Sequence, residues 1–134
     1  APTHPIGSRR QIKLQDLDGE DFILREPGSA TRYTAEKCID GHGITMNVVM
    51  ELGSNEAVKR AVAAGLGLGI ISKFGVLPDT TAGFITVLDI LGWQCRRPLT
   101  VFHRDDKYLP AVQRTFLRFL QEERPVPGTP TENC

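Results

Sequence analysis

The chain has little with which to hold a polyanion, a metal or a bilayer. Sixteen Lys and Arg balance sixteen Asp and Glu, for a formal net charge of zero. The broad basic face that would carry nucleic acid or an anionic membrane surface is therefore lacking. No apolar run approaches the roughly 20 residues that cross a bilayer, and Ala1 to Lys13 lacks the charged-then-apolar layout of a secretion signal. Cysteine is scarce: Cys38, Cys95 and Cys134 are odd in number and widely spaced, with no Cys-x-x-Cys pair. Reduced thiols in a cytosol fit this usage better than a disulfide framework. His4, His42 and His103 stand far apart with no second ligand at metal spacing, so neither metal nor cofactor is expected.

What is present is ordinary globular material. The 134 residues suit about one domain, and a domain of this size buries roughly two-thirds of its unfolded surface. With 40% hydrophobic and 24% charged residues, 13 Gly and 9 Pro, collagenous, coiled-coil and wholly disordered classes are excluded. The opening Ala1-Pro2 without Met and the Pro125, Pro127, Pro130 ending read as a piece of a longer protein with a disordered tail.

Polar residues lead to a short turn at 14–21, then Phe22-Ile23-Leu24-Arg25 reads as a strand stopped by Pro27-Gly28. Ser29 is the natural cap of a helix carrying Ala30, Tyr33, Ala35, Cys38 and Ile39, and Gly41 stops it. The pattern then recurs. Ile44 to Met50 reads as a strand, Leu52-Gly53 as a turn, and Ser54 or Asn55 caps a helix through Ala57, Val58, Ala61, Val62 and Ala64, closed by Gly65. Glu26-Pro27-Gly28-Ser29 matches Glu51-Leu52-Gly53-Ser54, so two βα units lie about 25 residues apart, followed by a buried strand at 68–72. That order predicts a largely parallel sheet. Further on, Phe84 to Leu88 and Pro98 to His103 read as strands and Leu91 to Arg97 as a loop. Leu109 to Glu123 reads as an amphipathic helix, and Trp93 and Phe84 as packing residues.

The paired Gly-Ser turns are the strongest chemical signal. In a parallel α/β sheet every strand-to-helix turn lies at one edge, where ligands gather. Helix N-termini favour anions, and Ser29, Thr31, Ser54 and Asn55 add short polar side chains there, with Arg25, Arg32 and Lys59 supplying positive charge. The bland alternative is that both serines merely cap their helices. Gly65-Leu66-Gly67-Leu68-Gly69 closes a helix and starts a strand, the reverse of a dinucleotide fingerprint, so it reads as a cap and turn. Neither serine lies in a Gly-x-Ser-x-Gly elbow, which argues against nucleophilic catalysis. Asp105-Asp106-Lys107 reads as a solvated turn.

The stretch Phe22 to Arg32, the run Met50 to Ile70, the segment Pro98 to Arg104 and the helix ending Phe116-Leu117-Arg118-Phe119-Leu120 together resemble the effector-binding domain of LysR-type transcriptional regulators. The resemblance covers about His4 to Glu122, and within the family it leans towards activators of carbon-fixation operons. It implies an α/β fold like the type-2 periplasmic binding proteins, with two lobes and a small-molecule cleft at their crossover. The expected division is 1–20 as lead-in from a preceding lobe, 21–88 as the α/β effector-binding lobe, 89–124 as crossover, strand and helix of an incomplete second lobe, and 125–134 as tail. Family pocket positions fall on Pro27, Gly28, Ser29, Ala30 and Thr31 with Arg32, and on Ser54, Asn55 and Lys59. The implied protein is a non-enzymatic, cytoplasmic regulator sensing a small anionic metabolite. It would bind DNA only through an N-terminal domain not in this chain, have no membrane contact and form a homo-oligomer. A solute-binding protein of a transporter, sharing the fold, is the alternative.

Overall fold

The computed structural model describes residues 1–97, 102 and 109–122. The chain divides into two compact units, Ala1–Pro98 and Leu99–Cys134. In the first, 3-10 turns at Pro5–Ser8 and Leu14–Leu17 lead into β1 (Asp21–Arg25), α1 (Ala30–Ile39), β2 (Asn47–Leu52), α2 (Asn55–Ala63), β3 (Leu68–Gly69), a 3-10 turn at Lys73–Gly75 and the short α3 (Leu77–Thr81). In the second, the described helix is α4 (Ala111–Glu122).

The sheet order is β2-β1-β3, and both pairings are parallel. β1 is the central strand, and its Phe22, Ile23 and Leu24 are all buried. A continuous apolar run is what a parallel strand covered on both faces requires. Alternate residues serve different faces. Phe22 and Leu24 pack with Ile6, Ile12, Leu14, Leu17 and Leu68. Ile23 packs with Val58 and Ala61 of α2. Burying side chains of this size stabilises by about 1.5–3 kcal/mol each, so β1 is the spine of the unit. The crossover from β1 to β2 and the one from β2 past β1 to β3 run in opposite directions along the sheet. Right-handed connections then place α1 and α2 on opposite faces.

Local chemistry sets the helix starts. The Ser29 Oγ accepts from the Thr31 amide at 3.3 Å, and the Ser54 Oγ accepts from the Ala57 amide at 3.1 Å. Gly28 sits at φ +88°, a left-handed conformation that a side chain would oppose. At the other end of α1, Asp40 is the C-cap and Gly41 follows at φ +80°.

Several sequence expectations need correction. The second strand begins at Asn47 rather than Ile44 and runs through Leu52. Its approach is held differently: the Thr45 amide donates to Asp18 Oδ1 at 2.8 Å, and the Gly19 amide donates to the Thr45 carbonyl at 3.0 Å. The third strand is two residues long, not five, because past Gly69 the chain leaves β1 for the turn at Lys73–Gly75. Residues 84–88 form no strand; Ile85 is buried, while Phe84 and Val87 are exposed. Phe84 is therefore not part of the first unit's core, whereas Trp93 packs against its Phe22 face. Leu77-Pro78-Asp79 starts a short helix instead of a plain turn. The expected strand at 98–103 and the tail at 125–134 lie outside the described residues, Phe102 apart.

The thiol expectation is also overturned. Cys38 and Cys95 are disulfide-bonded across a separation of 57 residues, with Cα atoms 5.4 Å apart. The pairing follows from packing that spacing could not reveal. The chain returns past Ile12, where the Leu91 amide donates to the Ile12 carbonyl at 2.8 Å, and the Trp93 indole Nε1 then donates to the Cys38 carbonyl at 3.0 Å. Two residues later Cys95 meets the last turn of α1.

In α4, Val112, Phe116, Phe119 and Leu120 are exposed, an apolar stripe at helical spacing on a helix with Arg118 and Glu122 paired at 3.7 Å.

Candidate functional site

β1 and β2 end side by side, with Arg25 opposite Leu52, so the turns that start α1 and α2 emerge together at the carboxyl edge of the sheet. Hydrogen bonds join them. The Glu26 amide donates to the Leu52 carbonyl at 3.2 Å, and Arg25 Nη1 donates to the Asn55 Oδ1 at 2.9 Å. Ser29 is half-buried and Ser54 exposed, while Pro27, Gly28 and Ala30 are exposed beside them. The structure thus brings the two groups of candidate residues to one edge.

The candidate cations are engaged with carboxylates of the chain itself. Arg25 grips Glu26 through Nε at 2.7 Å and Nη2 at 2.9 Å, a bidentate pair that holds the Glu26 carboxyl below the usual range. Arg32 donates from Nε to Glu36 at 2.7 Å, and its Nη1 reaches both Glu51 and, at 3.3 Å, the Arg25 carbonyl. Its pKa is raised by Glu36 first and Glu51 second. Lys59 Nζ lies 2.7 Å from Asp79 and 2.8 Å from Glu56, which raises its pKa, Asp79 being the larger cause. These pairs are polar ties between elements: Arg32 joins α1 to β2, and Lys59 joins α2 to α3.

Sequence reasoning missed the role of the glutamates. Glu26 and Glu51 hold the same place in the two repeated Glu-x-Gly-Ser turns, and each receives an arginine. The repeat itself was the signal, since its glutamate recurs together with its Gly-Ser pair. The two glycines also differ, since Gly28 needs its positive φ and Gly53 does not adopt one.

A separate cavity of about 200 Å³ lies where β3 leaves the sheet, between α2 and the irregular chain at 85–90. Val58, Val62, Ile71, Val76 and Ile85 line it with the Lys59 side chain. Of the candidate residues, Lys59 alone reaches it. Among the described residues no three His, Cys, Asp or Glu side chains cluster as metal ligands, and no helix is long and apolar enough to cross a membrane.

Two capped helices starting at the carboxyl edge of a parallel sheet are the arrangement of an α/β lobe like those of the periplasmic binding proteins, and such an edge is where α/β folds hold small molecules. The chain belongs to the LysR substrate-binding domain family, which matches residues 1–125. It is 36% identical over 113 residues to the HTH-type transcriptional regulator CbbR of Rhodospirillum rubrum, covering 84% of this chain and 38% of that protein. Identity to the HTH-type transcriptional activator CmpR of Synechocystis is 37% over 117 residues, again 38% of the relative. The chain therefore spans about two-fifths of the curated relatives it matches. Among solved structures, the regulatory domain of Synechocystis CcmR in complex with 2-PG superposes with a TM-score of 0.74 at 32% identity, covering 89% of this chain and 57% of that one. The effector-binding domain of QuiR in complex with shikimate, at 22% identity and TM-score 0.53, shares the fold and covers 59% of this chain and 38% of that one.

Proposed function

We propose that this chain is the effector-sensing part of a LysR-type transcriptional regulator, and that the two joined helix starts contribute one wall of a cleft for a small anionic metabolite. The observation that carries this reading is the Arg25–Asn55 hydrogen bond, which sets the α1 and α2 starts beside each other. Ser29 and Ser54 each use an oxygen lone pair as a cap, which leaves both hydroxyl hydrogens to donate to a carboxylate or phosphate. Thr31 and Asn55 bind alongside them, with Arg32 and Lys59 as the candidate cations, each of which would have to turn from a carboxylate partner of the chain to the ligand. The 2-PG in the CcmR complex makes phosphorylated acids the first ligand class to try.

The parent protein would bind promoter DNA through a domain outside this chain and act in the cytoplasm, without enzymatic activity. The relatives being transcriptional regulators favours this over a transporter's solute-binding protein. Self-association belongs to the same reading: among the described residues β2 pairs with β1 alone and exposes Val48 and Val49, and apolar edge strands favour association.

Thermal-shift measurements on the parent protein with 2-PG, and separately with shikimate, test the site. Ligand at a hundred times its Kd adds about 2.7 kcal/mol to the native state, a readily measured rise in Tm. The Ser29→Ala/Ser54→Ala double variant is expected to lose most of that rise. No shift with either anion at millimolar concentration, or full affinity in the double variant, would refute the assignment.

A further inference from the structure

We propose that the cavity beside β3 is a second ligand pocket, one that takes a small monocarboxylate with a compact apolar body such as an aromatic ring. Its origin lies in the sheet. β3 is an edge strand two residues long, and the chain at 85–89, which shares the cavity wall with it, forms no strand. Two apolar stretches thus border a gap of about 200 Å³ instead of closing on each other. The gap is large enough for a ring, since an apolar protein cavity of about 150 Å³ stays dry and takes up benzene. Water has little to hold it here. Val58, Val62, Ile71, Val76 and Ile85 line the space with hydrocarbon, and no buried side-chain nitrogen or oxygen among the described residues lacks a hydrogen-bond partner. Left empty, such a lining forfeits the dispersion contacts that close packing gives, and an apolar guest restores them. Access is open, because Val62 and Ile71 are only half-buried although they pack against the buried Ile23, Val58 and Ala61.

Charge fixes the polar end of the guest. The titratable side chains on the cavity wall are His4, Lys59 and Lys73, and no Asp or Glu joins them. Lys59 is already held by Asp79 and Glu56, while the His4 ring accepts from the Ile6 amide and lies 3.7 Å from Glu20. Lys73 is exposed, in the 3-10 turn that follows β3, and makes no ion pair among the described residues. Its ammonium is the group available to a carboxylate whose apolar body lies in the cavity. A cation of similar shape would meet two lysines and be repelled. Pro27 to Arg32, Ser54 and Asn55 do not border this space, so the pocket is separate from the helix starts and does not depend on their assignment.

The full chain, labelled with carbon-13 at its Ile and Val methyl groups, is titrated with benzoate and followed by nuclear magnetic resonance. Saturable shifts with a Kd below about 1 mM are expected at Val58, Val62, Ile71 and Ile85. Benzylamine, a cation of similar shape, should bind at least about tenfold more weakly, and Lys73→Glu should weaken benzoate at least about fivefold. Val62→Phe puts a ring into the space and should abolish the shifts; should that variant not fold, benzylamine and Lys73→Glu decide the matter. The Ser29→Ala/Ser54→Ala variant should bind benzoate as the wild type does, whether or not it still binds 2-PG, so failure here and failure of the effector assignment are told apart. Benzoate that shifts no methyl group at millimolar concentration, shifts methyl groups away from the cavity instead, loses its affinity in the double serine variant, or is indifferent to Lys73→Glu overturns the proposal, as does equal binding of benzylamine.

Discussion

Gly67→Ala is expected to be among the most damaging single-methyl changes in the first unit. Gly67 is buried at the entry to β3, with φ +151°. A Cβ there would lie 2.6 Å from the Asp21 carbonyl oxygen and 3.2 Å from its carbon. Both are backbone atoms at the start of β1, so no rotamer change relieves the clash and the strands must separate. A residue forced into such a conformation costs about 1–3 kcal/mol, and displacing packed neighbours adds about 1–3 kcal/mol. The entropy lost by the unfolded chain returns only about 0.4–1 kcal/mol. The net loss of about 2–5 kcal/mol is a large part of the ~5–15 kcal/mol that holds a domain together. Gly65→Ala is the control: φ is +80°, but nothing lies within 4 Å of its Cβ, so about 1–2 kcal/mol is expected. Urea unfolding followed by far-ultraviolet circular dichroism measures both from the shift in midpoint at constant slope. Equal losses in the two variants would refute the close approach of Gly67 to β1.

Two further outcomes follow from the site. Ser29→Ala and Ser54→Ala should each cost about 1 kcal/mol in the same urea assay, since each removes a helix cap, and losses near zero would mean the caps are not formed in solution. Acid should loosen the turns. Glu26 and Glu56 have folded pKa values below their ordinary 4.5, Glu26 through its hydrogen bonds from Arg25 and Glu56 chiefly through Lys59. A depressed carboxylate contributes stability that is complete above the unfolded value and is lost as pH falls through the folded one. The melting temperature should therefore drop below about pH 4.5, and Glu26→Gln should reduce that drop; an unchanged pH profile in the variant would contradict the pairing.

The parallel βα order, the two capped helices and the strand at Phe22, Ile23 and Leu24 were legible in the chain, because each depends on local spacing and on residues that cap or break elements; that this strand is the central one was not. The limits of the second and third strands were not. They depend on which residues β1 can pair with before its neighbours turn away, and nothing in Ile44-Thr45-Met46 or Ile70-Ile71-Ser72 distinguishes them from strand. The serines at the helix starts were legible as well. The local pairs Arg25–Glu26, Arg32–Glu36 and Lys59–Glu56 lie at one-, four- and three-residue spacing, but the long-range partners of Arg32 and Lys59 were not legible, because Glu51 and Asp79 are 19 and 20 residues away.

By itself the sequence determined the alternation of strand and helix and the placing of two anion-favouring turns at one sheet edge, since backbone geometry and handedness leave a repeated βα unit little choice. Tertiary structure decided the rest: the Arg25–Asn55 bond between those turns, the ties of Arg32 to Glu51 and of Lys59 to Asp79, and the union of Cys38 with Cys95. Each needs two side chains far apart in the chain to arrive within bonding distance, and only the packing of the core brings them there.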